Sequence, residues 1–242
     1  MKFWKMLALL AVMVAEVGAQ DSFNVDLINT YRDKTTANRE AAYAARSSVV
    51  ALRPVAPTTA QLQTLVVQCY ESNGLTASQL NTVDSVRTAV CDTLGYTVDP
   101  LEMLSEWGMD ANDPMTQMML PYMTGPWKHE SLWGRVDRLL TIGDWAKEDG
   151  IVLDQLNAMY EVMHQYALNC KASASGVDPF NMLMYDMMIS WSETQLVGGY
   201  ISSANKWQKA STSFSGSSAA LKSINDYYDL VKRMYDIANP QR

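Results

Sequence analysis

The residues best equipped for chemistry lie between Leu101 and Gly150. This stretch holds Trp107, Trp127, Trp133, Trp145 and Tyr122, interleaved with carboxylates. Glu102 and Glu106 stand four apart, a spacing that puts both on one face of a helix. Glu130 sits between Trp127 and Trp133. Aromatic faces stack on pyranose rings, and a paired carboxylic acid and carboxylate cleave a glycosidic bond. The chemistry such a set would perform is therefore glycan hydrolysis, with Glu102, Glu106 or Glu130 as acid or base. That mechanism depends on the distance between two carboxyl groups, which spacing along the chain does not set.

Metal and nucleophile signatures are incomplete. His129-Glu130 opens like a zinc-protease motif, but the position of the second histidine is Trp133. His129 and His164 are the two histidines of the chain, too few for a His-rich zinc site. Asp110, Asn112 and Asp113 begin like a calcium loop. Pro114 then fills the fifth position and no glycine follows, so Asp113 reads as a helix cap. Methionines gather at Met115, Met118, Met119 and Met123, and again at Met182, Met184, Met187 and Met188. Thioethers suit copper(I), yet interleaving with leucine and tyrosine at helical spacing is the pattern of adaptable core filler. Neither a glycine-rich phosphate loop nor a nucleophile elbow occurs. The expectation is a protein with no catalytic, cofactor-binding or metal residues and no cofactor, leaning away from an enzyme.

The elements that would position these residues read as helices. Asp99-Pro100, Asp113-Pro114 and Asp178-Pro179 each offer a capping carboxylate followed by proline at the first helical position. Thr76 with Gln79 makes a capping-box pattern, and Gly74 and Gly95 fall where helix-ending glycines belong. Val152, Leu156, Met159, Met163, Tyr166 and Cys170 step by four and three onto one helical stripe. Leu221, Ile224, Tyr228, Val231, Tyr235 and Ala238 do the same near the C-terminus. A thinner seam runs through Ile28, Tyr31, Thr35, Asn38, Ala42, Ala45, Val49 and Leu52, the mark of a long helix that packs on a second one. Breaks are expected at the proline-stiffened Arg53–Thr59 and at the Ser/Thr/Gly-rich Ala210–Ser218. The fold expected is all-α, an irregular multi-helix array or bundle of about seven to nine helices with a long N-terminal helix. Its divisions are a signal peptide over 1–19, an N-terminal helix or arm over 20–53, and a helical domain over 54–242.

Lys2 and Lys5, the apolar run Met6–Ala15, and small residues at Val17 and Ala19 form a secretory signal cleaved after about Ala19. The run is too short for a membrane span, and no transmembrane segment is expected after cleavage. Removing Lys2, Lys5 and Glu16 from 19 basic and 26 acidic residues leaves 17 and 25. An acidic balance of this size excludes nucleic acid and adsorption on anionic lipid as partners. In an oxidising compartment, Cys69, Cys91 and Cys170 allow one disulfide. If 60–73 and 77–94 form a hairpin, Cys69 and Cys91 are offset by roughly 15 Å at 1.5 Å per residue, which favours a pair involving Cys170. The functional expectation is a secreted or periplasmic, non-catalytic helical protein acting through protein–protein contacts, with another protein or itself as partner. The alternatives are a carrier of an apolar small molecule in a Met/Trp-lined pocket and the glycan hydrolase above.

Overall fold

A computed structural model describes residues 2–72, 95–96, 110, 113–123, 130–174 and 178–240. In chain order it shows α1 (Lys2–Leu52), a 3-10 turn (Arg53–Val55), α2 (Thr59–Ser72), β1 (Gly95–Tyr96), α3 (Pro114–Met123), β2 (Glu130–Ser131), α4 (Leu132–Ser173) and α5 (Pro179–Ala238). The fold is all-α, and the described residues form five α-helices rather than seven to nine. β1 and β2 form a two-residue antiparallel ladder, Gly95 opposite Ser131 and Tyr96 opposite Glu130. Gly95 therefore stands in a strand instead of closing a helix. Thr76, Gln79, Gly74 and Asp99 lie outside the described residues. Among the described residues no helix is long and apolar enough to cross a membrane.

Local chemistry sets several of the helix starts. Asp113 accepts hydrogen bonds from the Thr116 amide at 2.9 Å and the Thr116 hydroxyl at 3.2 Å, so it caps α3 with Pro114 in the first turn. Asp178 accepts from the Phe180 amide at 3.3 Å at the start of α5. A capping box that the sequence reading passed over opens α2. The Thr58 amide donates to Gln61 Oε1 at 2.8 Å and the Gln61 amide to Thr58 Oγ1 at 3.2 Å.

The expected Ala210–Ser218 loop is instead helical, in the middle of α5. Its small residues serve close packing: Ala210, Ser213, Ser217 and Ser218 are buried beside a fully buried Phe214. Ser217 Oγ donates to the Val136 carbonyl at 3.1 Å, which satisfies a buried hydroxyl within the helix pair. Serine and glycine mark a turn only when nothing packs on them.

The chain forms two compact units, residues 1–41 with 146–208 and residues 42–145 with 209–242. In the second unit Val49, Leu62, Val136, Ala220, Leu221 and Ile224 make one apolar cluster. Val66, Cys69 and Val231 make another. The C-terminal stripe beginning at Leu221 thus supplies core, as its spacing implies. Phe214 lies so close to α4 that a Cβ on Gly143 would stand 2.6 Å from its ring. In the first unit Ile28, Leu196 and Tyr200 are buried together with Tyr31, Tyr160 and Val197 against them. Trp207 is fully buried there, and a Cβ on Gly150 would meet its indole at 2.8 Å.

The structure corrects the expected disulfide and places the α4 stripe. The α4 stripe is not core: Val152, Leu156, Met159 and Tyr166 are exposed, with Met163 and Cys170 half-buried. No disulfide exists among the described residues. Cys69 is a thiol within its apolar cluster, and Cys170 is a thiol hydrogen-bonded with Tyr166 on α4. Cys91 lies outside the described residues.

Close helix contact at the buried glycines gives a graded expectation. Gly143→Ala and Gly150→Ala lower stability by about 1–3 kcal/mol through overpacking. Gly198→Ala, with nothing within 4 Å of the new methyl, raises it by about 0.5–1 kcal/mol by removing chain entropy from the unfolded state. Urea unfolding of the three variants checks the order.

Candidate functional site

α1 carries a heptad pattern. Ile28, Thr35, Ala42 and Val49 recur every seven residues and all are buried. Tyr31, Asn38, Ala45 and Leu52 accompany them, half-buried, three positions on. The next position is arginine each time: Arg32, Arg39, Arg46 and Arg53. In the first unit Arg39 pairs with Asp154 at 3.1 Å and Arg32 with Glu161. In the second unit Arg46 pairs with Asp144 at 3.0 Å and Arg53 with Asp137 at 2.7 Å. Within each unit a higher number on α1 meets a lower one on α4, so the helices run antiparallel. A seven-residue repeat keeps one edge of α1 against its neighbour.

The interior of the first unit is polar in layers. Asp154 accepts from Arg39, from Ser203 Oγ and from Trp207 Nε1, the last at 2.9 Å. One turn on, Asn157 is 1 % exposed, and neither its amide nitrogen nor its oxygen has a hydrogen-bond partner. It faces Gly199, where a Cβ would collide with its side-chain oxygen. At the next layer Glu161 Oε1 accepts from Arg32 Nε at 3.0 Å and from Tyr200 Oη at 2.6 Å. Arg32 also lies 5.4 Å from the centre of the Tyr200 ring. Burial first, and then its bond to Glu161, push the Tyr200 phenol up from its ordinary pKa, so it remains a donor. The Tyr200 bond and Glu161 hold the Arg32 guanidinium above its ordinary value against the opposing effect of burial.

His164 occupies the following layer. Ser192 Oγ donates its proton to the Ile189 carbonyl at 2.8 Å, so it accepts from His164 Nδ1 at 3.0 Å. That assigns the Nδ1–H tautomer and turns Nε2 toward Glu193 Oε1, 3.8 Å away. Burial pushes the imidazole below its ordinary pKa, outweighing the Ile189 carbonyl and the charge of Glu161. Lys206 with Asp149 and Lys171 with Asp186 close the two ends of the ladder. These pairings make α4 and α5 antiparallel.

With the polar residues inside, the large apolar ones face out. On α4, Val152, Leu156, Met159, Val162 and Tyr166 are exposed, Val162 at 71 %. On α5, Phe180, Met184, Met187 and Trp191 step by four, three and four, and all are exposed. The α4 stripe is offset by two residues, about 200° round the helix, from the inward Asp154, Asn157 and Glu161. The stripes of α4 and α5 adjoin where Tyr160 meets Trp191 edge-to-face, ring centres 5.6 Å apart.

Glu102, Glu106, Trp107, Trp127 and His129 lie outside the described residues, and Glu130 is in β2. Trp133 packs against the second unit's core, and Trp145 is exposed. Met115 and Met118 face solvent, as do Met184 and Met187, instead of filling a core. Among the described residues no group of three or more His, Cys, Asp and Glu is placed to hold a metal ion. A cleft of about 670 Å³ is lined by Val25, Ile28, Arg32, Glu161, His164 and Leu196, among others. A smaller one of about 150 Å³ adjoins Thr35, Arg39, Asp154 and Tyr200. Neither has a methionine or tryptophan in its lining. The chain matches no protein family, no curated protein and no solved structure.

The sequence held one unread signal for this site, the arginine at every seventh residue from Arg32 to Arg53. The partners Asp154 and Glu161 are also seven apart.

Two measurements test the layers. Asp154→Ala strands the buried Trp207 N–H and Ser203 hydroxyl, and costs about 2–4 kcal/mol in urea unfolding. Arg53→Ala breaks an exposed pair and costs under about 1 kcal/mol. The His164 shift gives a signed pH dependence. Its folded pKa lies below the unfolded value, so its contribution is complete above about pH 6.5 and is lost as pH falls from there through the folded value. The thermal midpoint falls between about pH 7.5 and pH 5.5 in the wild type and falls less in His164→Gln.

Proposed function

We propose that this chain is a secreted or periplasmic, non-catalytic helical protein that works by docking another polypeptide on the outward apolar face of α4 and α5. One observation carries the reading. Val152, Leu156, Met159 and Tyr166, four of the six residues of the stripe that amphipathic spacing groups together, are exposed, while Asp154, Asn157, Glu161 and His164 lie on the opposite side of α4. Large apolar side chains left in water are a standing free-energy cost, about 25 cal/mol per Å², and a partner's surface removes it. Charge supports the same reading. Between Val152 and Cys170 the acidic and basic side chains are Asp154, Glu161 and His164, all directed inward or paired, as are Asp186 and Glu193 between Phe180 and Ser202. Interface centres are depleted of charge in the same way and enriched in methionine and aromatics. The helical layers give the face rigidity, so docking would not have to order it.

The N-terminal sequence supports export, because Lys2, Lys5, Met6–Ala15 and Ala19 follow the order of a signal peptide. Recovery from the source organism should yield a mature chain beginning near Gln20, read by intact mass. A photo-cross-linking residue at Met159 or Met187 is expected to capture a defined protein, whereas one at Val50, exposed on α1 of the second unit, is not. Capture at Val50 alone, or at no position, would end the docking reading.

A further inference from the structure

We propose that the occupant of this face is a second copy of the chain, with the two α5 helices crossing antiparallel so that Trp191 of each lies over the partner's Gly198. The inference rests on the docking reading above and names its partner. Three features of the face lead to it.

The first is shape. Along the outward side of α5 the bulky apolar residues end at Trp191, and beyond the polar Thr194 and Gln195 the outward positions bear small side chains, Gly198 and Ser202. Gly198 is exposed, and nothing lies within 4 Å of where its Cβ would be. Trp191 and Gly198 are placed symmetrically about a point between Thr194 and Gln195. Met187 and Ser202 are symmetric about the same point. A two-fold axis there seats both bulky residues of one copy over both hollows of the other. Such self-complementarity is what an isologous interface requires, and a partner of different sequence has no need of it.

Size is the second. Ten outward side chains, Val152, Leu156, Met159, Val162 and Tyr166 on α4 with Phe180, Met184, Met187, Trp191 and the exposed Leu183 on α5, are each about half exposed. At roughly 200 Å² per large side chain when fully open, they amount to about 1,000 Å². A stable interface takes about 800 Å² from each partner.

Charge is the third. The mature chain is acidic, and two copies repel wherever like charges face each other. This face is where they would not, since Glu161 and Glu193 lie on the inner side and Asp186 is neutralised by Lys171.

Sedimentation velocity of the mature chain from about 1 to 100 µM tests the proposal. The wild type is expected to be a dimer. Gly198→Leu fills the hollow without touching its own unit, so it should keep the wild-type helical circular dichroism and a thermal midpoint no lower than the wild type's. Its dimer should be weaker by about tenfold or more. Met187→Glu, at a fully independent exposed position, should weaken the dimer to the same degree. A wild type that stays monomeric at the highest concentration overturns the proposal, and so does a dimer indifferent to both substitutions. The monomeric outcome separates the two readings. If the Met187 cross-linker then captures a different protein, the docking reading stands and the second copy is excluded. If it captures nothing, both fail.

Discussion

The structure depends on a heptad constraint carried by α1. Ile28, Thr35, Ala42 and Val49 hold one line of contact, and an arginine stands beside each. A repeat of 3.5 residues per turn keeps a helix edge against its neighbour only if the helices supercoil slightly. Thin contacts at Thr35 and Ala42 bury little apolar area, so the seam alone is a modest source of stability. The arginines compensate by fixing which α4 carboxylate each turn meets: Glu161 and Asp154 in the first unit, Asp144 and Asp137 in the second. Partly exposed ion pairs of this kind add little free energy individually. A slipped register would instead leave several of them unpaired together, so their main contribution is alignment.

From that alignment follows the polar interior of the first unit. Asp154 and Glu161 are drawn to the inner side of α4 by Arg39 and Arg32, and they recruit Ser203, Trp207 and Tyr200 from α5. Hydrogen-bonded layers specify one arrangement more sharply than apolar packing does, at lower stability. Asn157 shows the cost in its clearest form, buried at 1 % exposure with both polar atoms lacking a hydrogen-bond partner. With polar groups on the inner side of α4, Val152, Leu156, Met159, Val162 and Tyr166 are left on the outside.

That inversion bears on what the protein does. A glycan hydrolase would need carboxylates near one another, and those described in the first unit are committed to arginines, a tyrosine and a buried tryptophan. A carrier of the kind expected would need an interior lined by methionine and tryptophan. Met184, Met187 and Trp191 instead look outward, where flexible thioethers and flat rings suit a protein surface.

The sequence by itself determined the helical character, the caps at Asp113 and Asp178, the seam of α1 and the apolar C-terminal stripe from Leu221. Each of these is a local property, set by capping groups or by periodicity along one helix. The arginine heptad was legible as well, since a spacing of seven needs no partner to be seen. What tertiary structure decided is which face of α4 points inward. Periodicity shows that Val152, Leu156, Met159 and Tyr166 share a side, but it carries no sign, and the ion pairs of α1 chose the opposite side for the interior. The same holds for Ala210–Ser218, whose composition reads as a loop until Phe214 and the α4 helix beside it make small residues the ones that fit. Hydrophobic pattern and composition are one-dimensional, and the choice between core and surface is made by neighbours distant in the chain.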